Sequence, residues 1–167
     1  MAGNEANAAL QLLERALCLE IDGEEFYRQA ATRTADVTGQ KMFLDLAEQE
    51  GLHQQIIRRQ MDNLNAHGVW MADERFEGAT CDLSQSLFPQ GAARARAVGP
   101  RADELEALWL ALEKESQSYE LYRQGALQTQ DPLARALYQY LMSAEREHFN
   151  TLMTNYDGIM RENYRPD

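Results

Sequence analysis

The chain has 167 residues and a mass of 19.0 kDa, which suits one domain with one sizeable core. Its 44% hydrophobic and 26% charged residues are typical of globular proteins and exclude a disordered chain. The net charge of −11 argues against nucleic acid or an anionic membrane as the main partner. Two cysteines exclude a four-cysteine metal site. Without a secretory signal or an apolar run of about 18 residues, we expect a cytoplasmic protein outside membranes.

Four long segments carry apolar residues at helical spacing and therefore predict four α-helices. They run from about 4 to 33, from about 38 to 64, from about 101 to 127, and from 131 towards Tyr156. Asn4 is the expected N-cap of the first helix, and Asp131 followed by Pro132 is a strong start signal for the fourth. Gly158 is the expected end of the fourth helix.

The links between these helices predict how they pack. Residues 34–37 and 128–130 are short links, which favour antiparallel neighbours. Residues 65–100 form a long connection with little periodicity, and we expect its Arg-rich end, residues 94–101, to be solvated rather than a nucleic-acid patch. The sequence predicts a single all-α domain over residues 1–167. It is a four-helix bundle of two hairpins, about 4–64 and 101–160, joined by one long crossover.

The second hairpin repeats the first at an offset of 95 residues. Three pairs of ionisable residues match under this offset: Glu20 with Glu115, Glu50 with Glu145, and His53 with His148. The flanking apolar and aromatic residues match as well. Such a duplication would relate the two halves by a pseudo-two-fold axis.

These six ionisable residues lie in the middle of otherwise apolar helical stripes, where core residues are expected. A buried carboxylate without a partner costs several kcal/mol, and no Lys or Arg lies on the same stripes. Two divalent ions would balance four carboxylates, and neutral imidazoles would complete the coordination without adding charge. A chance Glu-x-x-His is common, but chance does not explain two such motifs at the repeat offset.

The spacing within the second and fourth helices supports a metal site. Glu50 and His53, like Glu145 and His148, are three residues apart, so both side chains of each pair reach one point. Oxygen-rich sites with some imidazole suit iron or manganese, whereas thiolate-rich sites favour zinc.

Four further side chains carry groups that can take part in chemistry. Tyr27 and Tyr122 each follow a mid-stripe Glu by seven residues. They either pack in the core or donate hydrogen bonds to the carboxylates that bind the metals. His67 has no comparable context and is expected in a loop. Cys18 flanks the first stripe and is expected to be buried and unreactive.

This combined pattern resembles the ferritin-like di-iron carboxylate proteins and, within them, the rubrerythrin-like branch. The residues that carry the resemblance are Glu20, Tyr27, Glu50-Gly51-Leu52-His53, Glu115, Tyr122 and Glu145-Arg146-Glu147-His148. The resemblance covers about residues 8–64 and 102–157 and implies a ferritin-like bundle holding two iron ions, which manganese or zinc can replace in purified samples. The implied ligands are Glu20, Glu50, His53, Glu115, Glu145 and His148, with Glu50 and Glu145 bridging the ions.

The chain departs from typical rubrerythrins at two points. They carry a further Glu ligand where this chain has Ser118, and Glu24 is not assigned in its place because its repeat partner is Tyr119. They also commonly carry a rubredoxin-like centre, which two cysteines cannot form. Electrons would therefore come from a separate donor protein.

The implied activity is that of a non-haem di-iron oxidoreductase, peroxidase-like, which reduces peroxide or dioxygen through the six metal ligands. Three alternatives stay open at this point: a ferroxidase of the iron-storage type, a metal-stapled sensor or binding module, and an oxygen-dependent hydroxylase. Family resemblance also implies a homodimer or a higher homo-oligomer.

Overall fold

The computed structural model describes residues 2–88 and 101–163, with side chains from residue 7 onward. The helices are α1 (Ala2–Arg33), α2 (Val37–His67), α3 (Ala102–Gln128) and α4 (Pro132–Asn163), and a short 3-10 helix spans Glu74–Phe76. Helix α1 packs along α2, α3 packs along α4, and the two hairpins meet mainly through α1 and α3. The fold is the predicted all-α, ferritin-like bundle.

Capping residues fix where the helices begin and end. The Asp36 carboxylate accepts the Gly39 backbone N–H at 2.7 Å at the start of α2. Asp131 accepts the Leu133 backbone N–H at 2.8 Å at the start of α4, as its sequence position predicts. Gly68 ends α2 in the left-handed conformation, with φ 69°, which side chains other than glycine rarely adopt.

Four local expectations are wrong. Helix α1 has already begun before Asn4, so Asn4 is not an N-cap, and α2 extends through His67, which is the last helical residue rather than a loop residue. Gly158 does not end α4, because the helix continues beyond it and buries Ile159 against the core. Cys18 is exposed, since it lies on the solvent side of α1.

The apolar core has two layers, one on each side of the ionisable residues along the length of the bundle. One layer centres on Leu13, Ile57 and Leu137, and the other centres on Phe43 and Leu152, all at most 2% exposed. The six ionisable residues thus occupy the middle of the bundle. Both layers exclude water from them, which strengthens electrostatic interactions there.

The described part of the crossover lies against α4. The Phe76 ring is 5.2 Å from the Tyr140 ring, and the Phe88 ring is 5.0 Å from that of Phe149. Residues 89–100 lie outside the described residues, so the expectation of a solvated Arg-rich segment concerns mainly that range; Arg101 pairs with Glu104. Among the described residues, no helix has the length and hydrophobicity to cross a membrane.

Candidate metal centre

All six ionisable residues predicted as metal ligands meet in the middle of the bundle. None of them is more than 4% exposed. They form two overlapping groups whose ligand atoms lie within 4.8 Å of one another: Glu20, Glu50, His53 and Glu145, and Glu50, Glu115, Glu145 and His148. Glu50 and Glu145 belong to both groups, which is the arrangement that bridging carboxylates require.

Contacts between the imidazoles and the carboxylates follow the pseudo-two-fold relation. His53 Nδ1 is 3.1 Å from Glu20 Oε2 and 3.4 Å from Glu145 Oε1. His148 Nδ1 is 3.1 Å from Glu50 Oε1, across the two hairpins. The two imidazole rings stack with centroids 5.6 Å apart. Both rings therefore turn the same nitrogen, Nδ1, towards the carboxylates.

Two fully buried tyrosines hold the two carboxylates that are not shared between the ligand groups, those of Glu20 and Glu115. The Tyr27 hydroxyl donates to Glu115 Oε1, and the Tyr122 hydroxyl donates to Glu20 Oε1. Each bond crosses from one hairpin to the other, and the two bonds are equivalent under the repeat. The second oxygen of each carboxylate is left facing an imidazole, His148 for Glu115 and His53 for Glu20.

The four carboxyl groups divide into two kinds. Burial, together with repulsion from Glu20, raises the pKa of both Glu50 and Glu145 well above the usual carboxyl range. Burial also opposes ionisation of Glu20, but hydrogen bonding with Glu50 and the nearby His53 outweigh it and lower the pKa of Glu20 to about 2. The pKa of Glu115 is lowered for the same reasons, with Glu145 and His148 as its partners.

The imidazoles hold protons in this environment. Burial alone would lower the pKa of His53, but the Glu20 carboxylate beside it raises that pKa above its ordinary value. Burial opposes protonation of His148 as well, but the close carboxylates of Glu115, Glu145 and Glu50 outweigh it and raise the pKa of His148 well above its ordinary value. Without metal, the raised pKa values of Glu50, Glu145 and both imidazoles therefore favour protons on these groups, which reduce the negative charge of the site.

The unsatisfied atoms of the cluster fit a bound metal ion. Four buried atoms make no well-directed hydrogen bond among the described residues, although each lies 3.1–3.4 Å from another atom of the cluster: Glu50 Oε1, Glu115 Oε2, Glu145 Oε1 and His148 Nδ1. Buried polar atoms normally have partners, so this concentration needs an explanation. All four face the interior of the cluster. Carboxylate oxygens with imidazole nitrogens are a donor set that iron and manganese accept.

The position of the additional rubrerythrin ligand carries no carboxylate here. Ser118, on α3, is buried at 8% exposure. Glu24 lies outside both groups, because its carboxylate pairs with Arg28 at 2.7 Å and accepts from Gln54 at 2.7 Å.

Sequence reasoning missed one residue that contacts the cluster. The side-chain oxygen of Gln49 lies 3.0 Å from His148 Nε2, the nitrogen that faces away from the carboxylates. The residue 95 positions later is Ala144, so a search for repeated polar residues passes over Gln49. The sequence feature that points to Gln49 is its position immediately before the predicted ligand Glu50.

Comparison with known proteins identifies the family. A solved structure of a hypothetical protein from Pyrococcus furiosus superimposes with a TM-score of 0.69 at 21% sequence identity, covering 95% of this chain and 93% of that chain. This similarity concerns the fold. No curated protein matches the chain. The family described as rubrerythrin matches residues 11–156, which includes most of both hairpins and all six predicted ligands. The chain therefore belongs to the rubrerythrin family.

Proposed function

We propose that this protein is a non-haem di-iron oxidoreductase that reduces peroxide or dioxygen with electrons from a separate donor. The observation that carries the proposal is the buried cluster of four carboxylates and two imidazoles, which form ion pairs only with one another among the described residues. Membership of the rubrerythrin family adds weight to iron as the metal.

In this proposal, Glu20, Glu50, His53, Glu115, Glu145 and His148 hold two iron ions. Tyr27 and Tyr122 each fix one carboxylate oxygen by hydrogen bonding and leave the other oxygen to bind metal. Two ferrous ions would supply the two electrons that cleave the O–O bond of hydrogen peroxide, which takes up two protons and yields two waters. A donor protein then returns two electrons.

The surface beside His53 offers a small oxidant a route to the cluster. An open pocket of about 380 Å³ reaches that side chain. Arg75 and Tyr140 also line it. The apolar layers on both sides of the cluster keep bulk water away, so the pocket is the side from which we expect peroxide to approach.

The test is a peroxide pulse given to the reduced, iron-loaded protein, followed by turnover with an added reductant. We expect fast reoxidation in the wild type, and its loss in the double variant Glu50→Ala, Glu145→Ala. Glu48→Ala is the matched control, because Glu48 is an exposed carboxylate on the same helix. Two bound irons without peroxide consumption would refute the peroxidase activity and favour dioxygen chemistry, iron storage or sensing.

A further inference from the structure

The two hairpins of the bundle differ in the residue next to the Nε2 atom of each cluster histidine. In the first half, Gln49 on α2 accepts a hydrogen bond from His148 Nε2 at 3.0 Å. The Gln49 amide nitrogen faces the Asp45 backbone carbonyl at 3.4 Å, so its oxygen is the atom turned towards the imidazole. In the second half, the matching residue is Ala144, which has no polar side chain.

The space next to Ala144 is open. Ala144 and His53 both line the pocket of about 380 Å³. Within the described residues, the side-chain hydrogen bond of His53 is made by Nδ1, to Glu20. No acceptor from the part of the chain that the structure describes therefore reaches His53 Nε2, whereas His148 Nε2 has one.

This difference matters for a metal ligand. An imidazole binds a metal through an unprotonated nitrogen, and an acceptor at the other nitrogen keeps the proton there. The Gln49 oxygen keeps the proton of neutral His148 on Nε2 and leaves Nδ1 free for the metal. It also holds the ring in the plane in which Nδ1 faces Glu50 and Glu115.

Resting on the metal centre proposed above, we propose that Gln49 is a positioning residue for His148. Without a counterpart at Ala144, the two metal positions are unequal, and the one containing His148 binds more tightly than the one containing His53. We assign the inequality to the pair Gln49 and Ala144, one of the positions at which the two repeats differ.

Two variants test the proposal in opposite directions. Gln49→Leu keeps the approximate side-chain volume and removes the acceptor; Gln49 is exposed, so the core is not disturbed. Ala144→Gln supplies His53 with the missing acceptor and extends into the open pocket. A background His67→Gln variant leaves only the two cluster histidines, because the chain has three in all.

The first readout is ring N–H exchange in the ¹⁵N-labelled, zinc-loaded protein, since zinc is diamagnetic and binds oxygen and nitrogen donors. We expect one ring Nε2–H, that of His148, to be protected from exchange with water. Gln49→Leu should abolish this protection, and Ala144→Gln should add a second protected signal from His53.

The second readout is the affinity of each metal position, from competition with a chelator. We expect Gln49→Leu to weaken the tighter position by about 10- to 100-fold and Ala144→Gln to strengthen the weaker one. Unchanged protection and unchanged affinities in Gln49→Leu would overturn the role of Gln49 while leaving the metal centre intact. Absence of stoichiometric metal in the wild type would overturn the metal centre itself.

Discussion

Loading the metal-free protein with divalent ions should release protons in a countable number. Without metal, burial and repulsion raise the pKa of Glu50 and Glu145, and neighbouring carboxylates raise the pKa of His53 and His148 despite burial. Each of these raised pKa values favours the protonated form of its group, and at about pH 6, below the ordinary imidazole pKa, the imidazoles are protonated even without a shift. Metal ligands must be deprotonated, so we expect about four protons to leave for each pair of ions bound.

The assay is anaerobic titration with ferrous iron in weakly buffered solution with a pH-stat. The matched control is His67→Gln, because His67 lies at the exposed end of α2 and should not alter the count. Release of fewer than about two protons in both proteins, with iron bound, would contradict the protonation described for the cluster. If His67→Gln released fewer protons than the wild type, His67 rather than the cluster would be the source of the missing protons.

Three further predictions concern stability. In chemical denaturation, the metal-free protein should lose stability as the pH rises from about 5 to 8. The reason is that two carboxyls and two imidazoles with raised pKa values bind more protons in the folded state than in the unfolded state. A stability that rises over this range would contradict the assignment. Replacing Tyr27 or Tyr122 with Phe should cost about 1.5–3 kcal/mol each in urea unfolding, and no loss would show that these hydroxyls do not support the carboxylates. Gly125→Ala should destabilise by about 1–3 kcal/mol, because its Cβ would lie 2.9 Å from the Tyr138 ring. Gly158→Ala should stabilise by about 0.5–1 kcal/mol, because it is helical and has no atom in the way; equal melting shifts for the two glycines would refute the packing argument.

The helices and the cluster were accessible to sequence reasoning because their signals are periodic or duplicated. Asp131 before Pro132 marks a helix start by local hydrogen bonding alone, and the structure has that start. The pair of Glu-x-x-His motifs at one offset places charged residues where apolar ones belong. The structure brings these residues together in the middle of the bundle.

Features that depend on tertiary contacts could not be predicted in the same way. Glycine is a common helix-ending residue, but after Gly158 the side chain of Ile159 packs into the core and α4 continues. Tyr27 lies two turns, about 10.5 Å, along the helix from Glu20, too far to bond to it. It reaches Glu115 on the other hairpin instead, a choice that only the packing of the hairpins decides.

The most direct test of the central claim is the number of iron ions bound per chain. Anaerobic ferrous titration of the metal-free protein should reach about two irons per chain, because the cluster offers two overlapping groups of ligands. The double variant Glu50→Ala, Glu145→Ala should bind neither ion, since both groups share these carboxylates, while Glu48→Ala should match the wild type. No stoichiometric iron in the wild type, or equal binding in the double variant, would contradict the account.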